Sequence, residues 1–300
     1  MGKVKLLFLE TRPHFLLLTP VCVFLGVSIA LSRGYFNLIH LILVLIGSLL
    51  AHVSVNVFND YFDYVRGTDL IAKRTPFSGG SGFLPSGLVT PRDALYLATA
   101  SLILGILIGL YFMVQYPILI PIVAIGVFLV YAYTPLLTRV YITELFPGLG
   151  FGLMVVGAYI TMLPPKSGIE DLTPLAAAVV PGILISNLLF LNEFPDFEAD
   201  YETGRRHMVI ILGRKRASKV YVLLIALAYT WLLMTVLAGI LPITTLIALA
   251  TLPIAVKACK ECLKYYGKIE KLIPALAKNV LVTLLTPTLM AIGFLMDLVV

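Results

Sequence analysis

Long apolar stretches, separated by short polar segments, recur along the whole chain. An α-helix needs about 20 apolar residues to cross the hydrocarbon core of a bilayer, and nine stretches approach that length. They lie at about 14–32, 37–60, 93–114, 117–134, 146–163, 173–193, 217–238, 241–258 and 273–297. We therefore predict an all-α membrane protein with nine transmembrane helices, built as a single domain over residues 1–300.

The composition excludes a soluble domain, because 60% of the 300 residues are hydrophobic and only 13% are charged. Glu10 and Arg12 interrupt the start of the chain and no small-residue cleavage pattern follows, so we expect the first helix to be retained. Cys22, Cys259 and Cys262 give no disulfide framework. The pair Cys259 and Cys262 has a spacing that suits either ordinary helix-end residues or a metal or redox site.

The basic residues are distributed unevenly between the predicted loops. If the N-terminus and every second loop share one side of the membrane, that side holds 20 of the 22 Lys and Arg residues. Arg33 and Lys166 fall on the other side. Basic loops favour the cytoplasm, so we predict a cytoplasmic N-terminus in the cell membrane. The net charge of +6 fits this topology and phosphate binding, and nothing beyond charge supports a nucleic-acid partner.

The second predicted helix ends in a cluster of acids and amides, in a chain that otherwise avoids charge. On a helix, positions i, i+3, i+4 and i+7 share one face, and these positions are held by Asn56, Asn59, Asp60 and Asp63. Asp69 follows shortly after. Carboxylates next to lipid are costly and usually mark function.

The sixth predicted helix ends in a second cluster, in which Asn192, Asp196 and Asp200 share a face while Glu193 and Glu198 point elsewhere. Two such columns of oxygen atoms facing each other suit Mg²⁺, which commonly shares its coordination with substrate phosphates. Without a cation the carboxylates would repel one another. We therefore predict a Mg²⁺ and phosphate site near the cytoplasmic face.

Basic and aromatic residues lie near both clusters and can be either topology determinants or site residues. The basic residues are Arg12 beside Pro13, Arg66, Lys73, Arg74, Arg139, Arg205 and Arg206. His207 is expected to be a loop residue rather than a base. Tyr131 and Tyr133 end the fourth helix, where they fit an interfacial belt or cation–π stabilisation of a carbocation.

The two clusters also occupy similar places along the chain. Each ends a helix that runs toward the predicted cytoplasm, and each is followed by a long basic loop, at about 64–91 and 201–216. This pattern suggests two related halves, about 1–134 and 146–258, with the ninth helix added.

Together these motifs resemble those of the UbiA superfamily of intramembrane prenyltransferases. They are Asn59-Asp60-x-x-Asp63 with Asp69 downstream, Asp196-x-x-x-Asp200, and Arg12-Pro13 at the mouth of the first helix. The resemblance implies a UbiA-like bundle that encloses a central cavity. It also implies Mg²⁺-dependent transfer of a prenyl group from a polyprenyl diphosphate, such as geranyl or geranylgeranyl diphosphate, to an aromatic or lipid-like acceptor.

The resemblance further implies roles for single residues. The Mg²⁺ ligands are Asn59, Asp63, Asp196 and Asp200. The catalytic group is Asp63, Asp69, Asp196, Asp200, Tyr131 and Tyr133. The group that contacts the diphosphate is Arg12, Asn56, Asp60, Arg66, Lys73, Arg74, Arg139, Asn192, Arg205 and Arg206.

Three stretches are similar to the branch that prenylates dihydroxynaphthoate or naphthoquinone rings in menaquinone-type quinone biosynthesis. They are Thr11-Arg12-Pro13, Gly79-Gly80-Ser81 and Tyr133-Thr134-Pro135. Two stretches depart from that branch. Pro135-Leu136-Leu137 replaces glycines, and Gly204-Arg205-Arg206-His207 replaces Gly-Lys-x-Thr. A 4-hydroxybenzoate, a geranylgeranylglyceryl phosphate and a porphyrin precursor remain alternative acceptors.

Two other functions fit part of the pattern. CDP-alcohol phosphotransferases are also acidic membrane enzymes, but their Asp-Gly-x-x-Ala-Arg signature is missing from this sequence. A transporter for a cation or a phosphorylated substrate would also place carboxylates in membrane helices. Transporters usually bind near the bilayer midplane, whereas these clusters lie at helix ends, which favours an enzyme with a site open to the surface.

Overall fold

The computed structural model describes residues 2–72, 74–169 and 171–298, so the predicted site residue Lys73 lies outside the described residues. Throughout these ranges the chain is helical and contains no strand. The α-helices are α1 Lys3–Glu10, α2 Pro13–Leu16, α3 Leu18–Leu31, α4 Leu38–Arg66, α5 Thr68–Ile71, α6 Pro91–Gln115, α7 Leu119–Ala132, α8 Leu145–Ile160, α9 Thr173–Glu202, α10 Met208–Leu237, α11 Leu252–Tyr265 and α12 Ile269–Met296. Two 3₁₀ segments lie at Leu137–Arg139 and Ile243–Thr251.

Seven helical segments of the described chain are long and apolar enough to cross a membrane. They are Pro13–Leu31, Leu38–Arg66, Pro91–Gln115, Thr173–Glu202, Met208–Leu237, Ile243–Tyr265 and Ile269–Met296. The shorter apolar helices α7 and α8 occupy two further predicted positions. The all-α prediction is confirmed, while the count of nine crossings and the orientation of the N-terminus stay predictions.

Several helix ends differ from those expected. The second predicted helix extends to Arg66 and the sixth to Glu202, so both acidic clusters lie on regular helix. The prediction of a continuous loop at 201–216 was wrong. Helix α10 begins at Met208 and departs from helical geometry only at Gly213 (φ 69°, ψ 149°). The stretch 241–258 begins as a 3₁₀ segment and becomes α-helical at Leu252, where Pro253 lies in the first turn and has no N–H to donate.

Helix α9 forms the centre of the bundle. It packs against α8, α10 and α12, and 72% of the residues in its most apolar stretch of 18 are buried. Helices α4 and α6 pair at the periphery, where only 17% of the residues in the corresponding stretch of each helix are buried. Their exposed large side chains, such as Ile103, Leu104 and Leu107, form the apolar outer surface that a membrane helix presents to lipid.

Glycine allows α8 and α9 to approach closely. A side chain at Gly148 would overlap Ser186 Oγ and the carbonyl oxygen of Gly182 on α9. One turn further along the same face, a Cβ at Gly152 would lie 3.5 Å from the carbonyl oxygen of Ala178, which is ordinary contact. Small residues at such contacts are typical of packing between membrane helices.

We therefore expect Gly148→Ala to destabilise the protein by about 1–3 kcal/mol, because the added methyl group must push α8 away from α9. The melting temperature in detergent measures this effect. Gly152→Ala is the matched control and should melt close to the wild type; equal melting temperatures for the two variants would contradict the close contact.

Candidate active site

Two cavities meet inside the bundle. The apolar chamber, with a volume of about 360 Å³, lies between α4, α6, α7 and α8. The polar chamber, of about 90 Å³, lies at the C-terminal ends of α4 and α9. The residues that line both chambers are Arg12, Asn59, Tyr133, Leu189 and Asn192. The chambers are therefore neighbours that share one wall of side chains.

The polar chamber gathers most of the acidic residues expected at the site. Its lining carboxyl, guanidinium and imidazole groups belong to Asp63, Asp69, Glu193, Asp196, Asp200, Arg12, Arg205 and His207. Of the residues predicted from sequence, it brings together Arg12, Asn59, Asp63, Asp69, Tyr133, Asn192, Asp196, Asp200 and Arg205. The two predicted motifs thus face each other across one small space.

Arg205 connects the two motifs. Its guanidinium pairs with Asp63 of α4, and its Nη1 lies 3.2 Å from Oδ1 of Asp200 on α9. Burial by itself would lower the pKa of Arg205, but the charges of Asp63 and Asp200 outweigh burial and raise this pKa well above its ordinary value. The guanidinium is therefore a permanent positive charge between the two helix ends.

Several buried oxygen atoms in the polar chamber have no hydrogen-bond partner. They include Oδ2 of Asp69, Oδ1 of Asn192 and Oδ1 of Asp196. Burial, and then the charges of Asp63 and Asp60, raise the pKa of Asp69 to about 8. Unpartnered carboxylate and amide oxygens are the donor set that Mg²⁺ prefers, so these residues fit a divalent cation.

The glycine-rich loop between α5 and α6 holds the carboxylates of both motifs. The backbone N–H of Gly79 donates to Asp196 Oδ2 (3.2 Å), and that of Ser81 donates to Asp60 Oδ2 (2.8 Å). Between them Gly80 has a φ of 67°, and a Cβ there would lie 2.7 Å from Asp69 Oδ2. Only glycine allows the loop backbone to pass so close to this carboxylate.

Arg12 occupies the boundary of the two chambers in an unusual backbone conformation. It lies between α1 and α2 with φ 56° and ψ 62°, a left-handed conformation that is costly for a side chain of this size. Its Nη1 lies 3.7 Å from Asp60 Oδ1, and its guanidinium stacks 4.9 Å from the centre of the Phe15 ring. The strain is compatible with a residue selected for its position at a site.

Comparison with known proteins identifies the family. A sequence model described as the UbiA prenyltransferase family matches residues 18–266. The chain belongs to the UbiA prenyltransferase family. It is accordingly a multi-pass membrane protein and a prenyltransferase.

Two relatives illustrate the range of this family. The chain is 26% identical over 260 residues to the 1,4-dihydroxy-2-naphthoate octaprenyltransferase of Bacillus subtilis, covering 85% of this chain and 81% of the relative. It is 29% identical over 253 residues to the digeranylgeranylglyceryl phosphate synthase of Thermococcus kodakarensis, covering 82% and 80% of the two proteins. The first relative is named for prenyl transfer to a dihydroxynaphthoate, and the second for the synthesis of a glyceryl phosphate product.

A solved structure of a UbiA homolog from Archaeoglobus fulgidus, bound to GPP and Mg²⁺, has the same fold. The two structures superpose with a TM-score of 0.60 at 16% identity, over 98% of this chain and all of the other. At this identity the likeness concerns the fold alone.

Four residues predicted to contact the diphosphate do not line the polar chamber of this UbiA protein. They form hydrogen bonds with neighbouring segments of the chain instead. Asn56 donates to the carbonyl oxygen of Thr11 (3.0 Å), and Asp60 accepts from the N–H of Ser81. Arg66 donates to the carbonyl oxygens of Thr134 (2.6 Å) and Pro135 (2.9 Å), and Arg74 donates to that of Ser81. Their placement supports a role in holding the site together.

Three further predicted residues are exposed outside both chambers. Arg139 and Arg206 have exposed side chains. Tyr131 is 57% exposed and packs edge-on against Phe58. The placement of Tyr131 thus gives no support for a catalytic role, because its ring lies on the outer surface while that of Tyr133 lines both chambers.

Two residues set aside in the sequence belong to the polar chamber of the UbiA fold. Glu193 was expected to point elsewhere, yet it is buried and lies 3.3 Å from His207. The reason is helical geometry: Glu193 and Asp200 are seven residues apart, which returns to within about 20° of the same direction. His207 was expected to be a loop residue, yet it is buried between Glu193 and Asp200. Glu198 lies outside the polar chamber and pairs with Arg214, as its helical spacing indicated.

Two other buried acids, Glu10 and Glu144, could not be found from helical spacing in the sequence. Glu10 accepts a hydrogen bond from Ser81 Oγ (2.6 Å), and burial followed by the charge of Asp60 raises its pKa to about 7. Glu144, which precedes α8, is 2% exposed and accepts from the backbone N–H of Met208 (2.7 Å). Both lie far in sequence from the residues they contact, so no local pattern marks them.

The bridge made by Arg205 can be tested in the metal-free protein. We expect Arg205→Gln to cost about 3 kcal/mol or more, because it leaves buried carboxylates without their cation. Added Mg²⁺ should recover more stability in this variant than in the wild type. Melting temperatures with and without Mg²⁺ measure both effects.

Arg206→Gln is the matched control, because Arg206 is the exposed neighbour. It should melt as the wild type does under both conditions. If Arg205→Gln behaved in the same way, Arg205 would not be balancing the charge of the polar chamber.

Proposed function

We propose that this protein transfers a prenyl group, in a Mg²⁺-dependent reaction, from a polyprenyl diphosphate to a naphthoate-type aromatic acceptor. The observation that carries the proposal is the pairing of an apolar chamber with a carboxylate-lined chamber across the shared wall at Asn59 and Tyr133. A polyprenyl diphosphate has the same two parts, a long apolar chain and a charged head.

The prenyl chain of the donor belongs in the apolar chamber. Its walls include Val44, Ile108, Phe112, Ile122 and Met154, and its volume of about 360 Å³ is of the size that ligand pockets have. Burial of the chain there is favourable because apolar surface leaves water. The diphosphate then reaches the shared wall and enters the polar chamber.

The diphosphate and its metal belong among the carboxylates. Asn59, Asp63, Asp196 and Asp200 would hold Mg²⁺, since their oxygen atoms converge on the polar chamber from α4 and α9. When bound, Mg²⁺ supplies charge neutralisation for the diphosphate leaving group. The unpartnered Oδ1 of Asp196 supports this assignment.

Basic residues would share the charge of the leaving group. Arg205 already lies between Asp63 and Asp200, and its fork of N–H donors suits phosphate oxygens. Arg12 lies where the chambers meet, which is where the bond between the prenyl carbon and the diphosphate oxygen would break. Both guanidinium groups would stabilise the negative charge that develops on the diphosphate.

The walls of the chambers would protect the allylic cation left by this bond cleavage. Tyr133 lines both chambers, so its ring can face the cation and stabilise it by cation–π attraction. The apolar lining excludes water, which would otherwise quench the cation before the acceptor attacks it and loses a proton.

The choice of a naphthoate-type acceptor rests on two kinds of support. The stretches Thr11-Arg12-Pro13 and Gly79-Gly80-Ser81 resemble that branch, and the relative from Bacillus subtilis is named for 1,4-dihydroxy-2-naphthoate. The relative from Thermococcus kodakarensis is named for a glyceryl phosphate product, which keeps a lipid acceptor as the second candidate. The asymmetry of Lys and Arg supports a polar chamber at the cytoplasmic face of the cell membrane.

Transport receives no support from the family. The chain belongs to a family of prenyltransferases, and its carboxylates lie at the C-terminal ends of α4 and α9 rather than near their middles. A site at helix ends is open to a charged substrate from one side of the membrane, as an enzyme requires.

We expect Asp63→Asn and Asp196→Asn each to lower kcat/KM for the prenyl donor by about 100-fold or more, because each removes a charge from the metal site. The measurement is Mg²⁺-dependent release of diphosphate from geranylgeranyl diphosphate in detergent, with an aromatic acceptor present. Asp297→Asn is the control, because Asp297 lies exposed at the end of α12. Activity near that of the control in either variant would refute a shared metal centre.

A panel of acceptors decides the second half of the reaction. The purified protein is incubated with Mg²⁺, geranylgeranyl diphosphate and, separately, 1,4-dihydroxy-2-naphthoate, 4-hydroxybenzoate or geranylgeranylglyceryl phosphate. Mass spectrometry should detect the prenylated product of the naphthoate. Product from the glyceryl phosphate alone would replace the naphthoate assignment while leaving the donor half intact.

A further inference from the structure

A second cluster of metal-binding side chains lies beside the polar chamber. Glu144, Glu193 and His207 each offer one ligand atom, and these atoms lie within 4.8 Å of one another. The three residues come from separate places: Glu144 precedes α8, Glu193 lies in α9, and His207 precedes α10. All three are buried, with exposures of 2%, 6% and 1%.

The cluster contains acceptor atoms without donors. Oε2 of Glu144, Oε2 of Glu193 and Nδ1 of His207 are buried and have no hydrogen-bond partner. Nδ1 of His207 lies 3.3 Å from Oε2 of Glu193. The other oxygen of Glu144 is occupied, because it accepts the backbone N–H of Met208. Three unpaired acceptors at one buried point repel one another unless protons or a cation lie between them.

The orientation of His207 favours a metal ion as that charge. Its Nε2 lies 3.1 Å from Oδ2 of Asp200, and the other oxygen of that carboxylate lies 3.2 Å from Arg205. When Nε2 donates its hydrogen to this carboxylate, the lone pair of a neutral ring lies on Nδ1. A histidine whose second nitrogen donates to a carboxylate is the usual arrangement of a metal ligand.

A proton alone would leave this cluster unsatisfied. A proton on Nδ1 would pair His207 with Glu193, and Oε2 of Glu144 would gain a partner only if a second proton lay between Glu144 and Glu193. A single cation within reach of all three atoms satisfies them together. We propose that Glu144, Glu193 and His207 bind a first-row divalent transition metal ion, distinct from the Mg²⁺ held by the aspartates.

The ligand set selects the class of ion. Mg²⁺ prefers oxygen ligands throughout, whereas an imidazole nitrogen with carboxylates suits Zn²⁺ and related ions. Three protein ligands leave a coordination position open for water or a substrate oxygen. Glu193 and His207 also line the polar chamber, so this position is accessible from the space where the substrates meet.

The ion would also fix the geometry of the aspartate site. Metal binding at Nδ1 holds the imidazole ring, and Nε2 then holds Asp200 through its hydrogen bond. Asp200 in turn pairs with Arg205. The second ion thus acts as a positioning element for one ligand of the proposed Mg²⁺ centre.

The test measures metal binding without turnover. The purified full-length protein is stripped with a chelator and equilibrated with Zn²⁺ in excess Mg²⁺, so that the aspartates are occupied. We expect a single equivalent of Zn²⁺ by mass spectrometry of the metal. X-ray absorption at the zinc edge should show scattering from an imidazole and from oxygen atoms.

Glu144→Gln removes one ligand charge and keeps the oxygen that accepts from Met208. It should weaken Zn²⁺ binding by about 10-fold or more. Loss of a residue that only hydrogen-bonds to a metal ligand already weakens metal binding by about 10-fold, and Glu144 would be a ligand itself. Glu202→Gln, at the exposed end of α9, is the control and should bind Zn²⁺ as the wild type does. Asp63→Asn should lose turnover and keep its zinc.

Three results would overturn the site. Equal Zn²⁺ content in the wild type and Glu144→Gln would exclude Glu144 as a ligand. Sulfur scattering would move the ion to Cys259 and Cys262, the free cysteines of α11. Loss of zinc in Asp63→Asn would place the ion among the aspartates instead. The spectrum of the wild-type protein alone keeps the test decisive if Glu144→Gln does not fold.

Discussion

The arrangement of this protein depends on a cluster of buried carboxyl groups, more numerous than the arginines beside them, at one end of the helix bundle. Five carboxylates line the polar chamber, and the arginines among its described lining residues are Arg12 and Arg205. The C-terminal ends of α4 and α9 add the negative ends of two helix dipoles. A space with this balance attracts cations, and a substrate with several negative charges can enter it only together with them.

The separation of the two chambers solves a problem of solvation. A polyprenyl chain requires apolar walls, whereas a diphosphate with its counterions requires hydrogen-bond donors and ionic ligands. The bundle provides both within one space because its helices have apolar middles and polar ends. Asn59 and Tyr133 line both chambers, so the reactive bond would lie at the boundary, next to charge on one side and sheltered from water on the other.

Sequence patterns predicted the parts of this site that obey a local period. Bilayer thickness fixes the length of an apolar helix, and 3.6 residues per turn fixes which side chains share a face, so both aspartate columns could be found. Contacts between distant segments carry no such period. The N–H groups of Gly79 and Ser81, and the partners of Glu144 and His207, follow from packing of loops against helix ends. Glu193 could have been found, since a spacing of seven residues places it beside Asp200.

The two motifs share a finer pattern than the aspartates alone. Asn59-Asp60-x-x-Asp63 and Asn192-Glu193-x-x-Asp196 place an amide, an acid and a second acid at the same spacing. In both, the acid next to the amide is buried and interacts with a distant segment: Asp60 with Ser81, and Glu193 with His207. Related halves would produce this correspondence. The halves would then have diverged in the partner of this acid. Asp60 interacts with a backbone N–H and with Arg12, whereas Glu193 faces the imidazole of His207, which would leave Glu193 able to serve as a metal ligand.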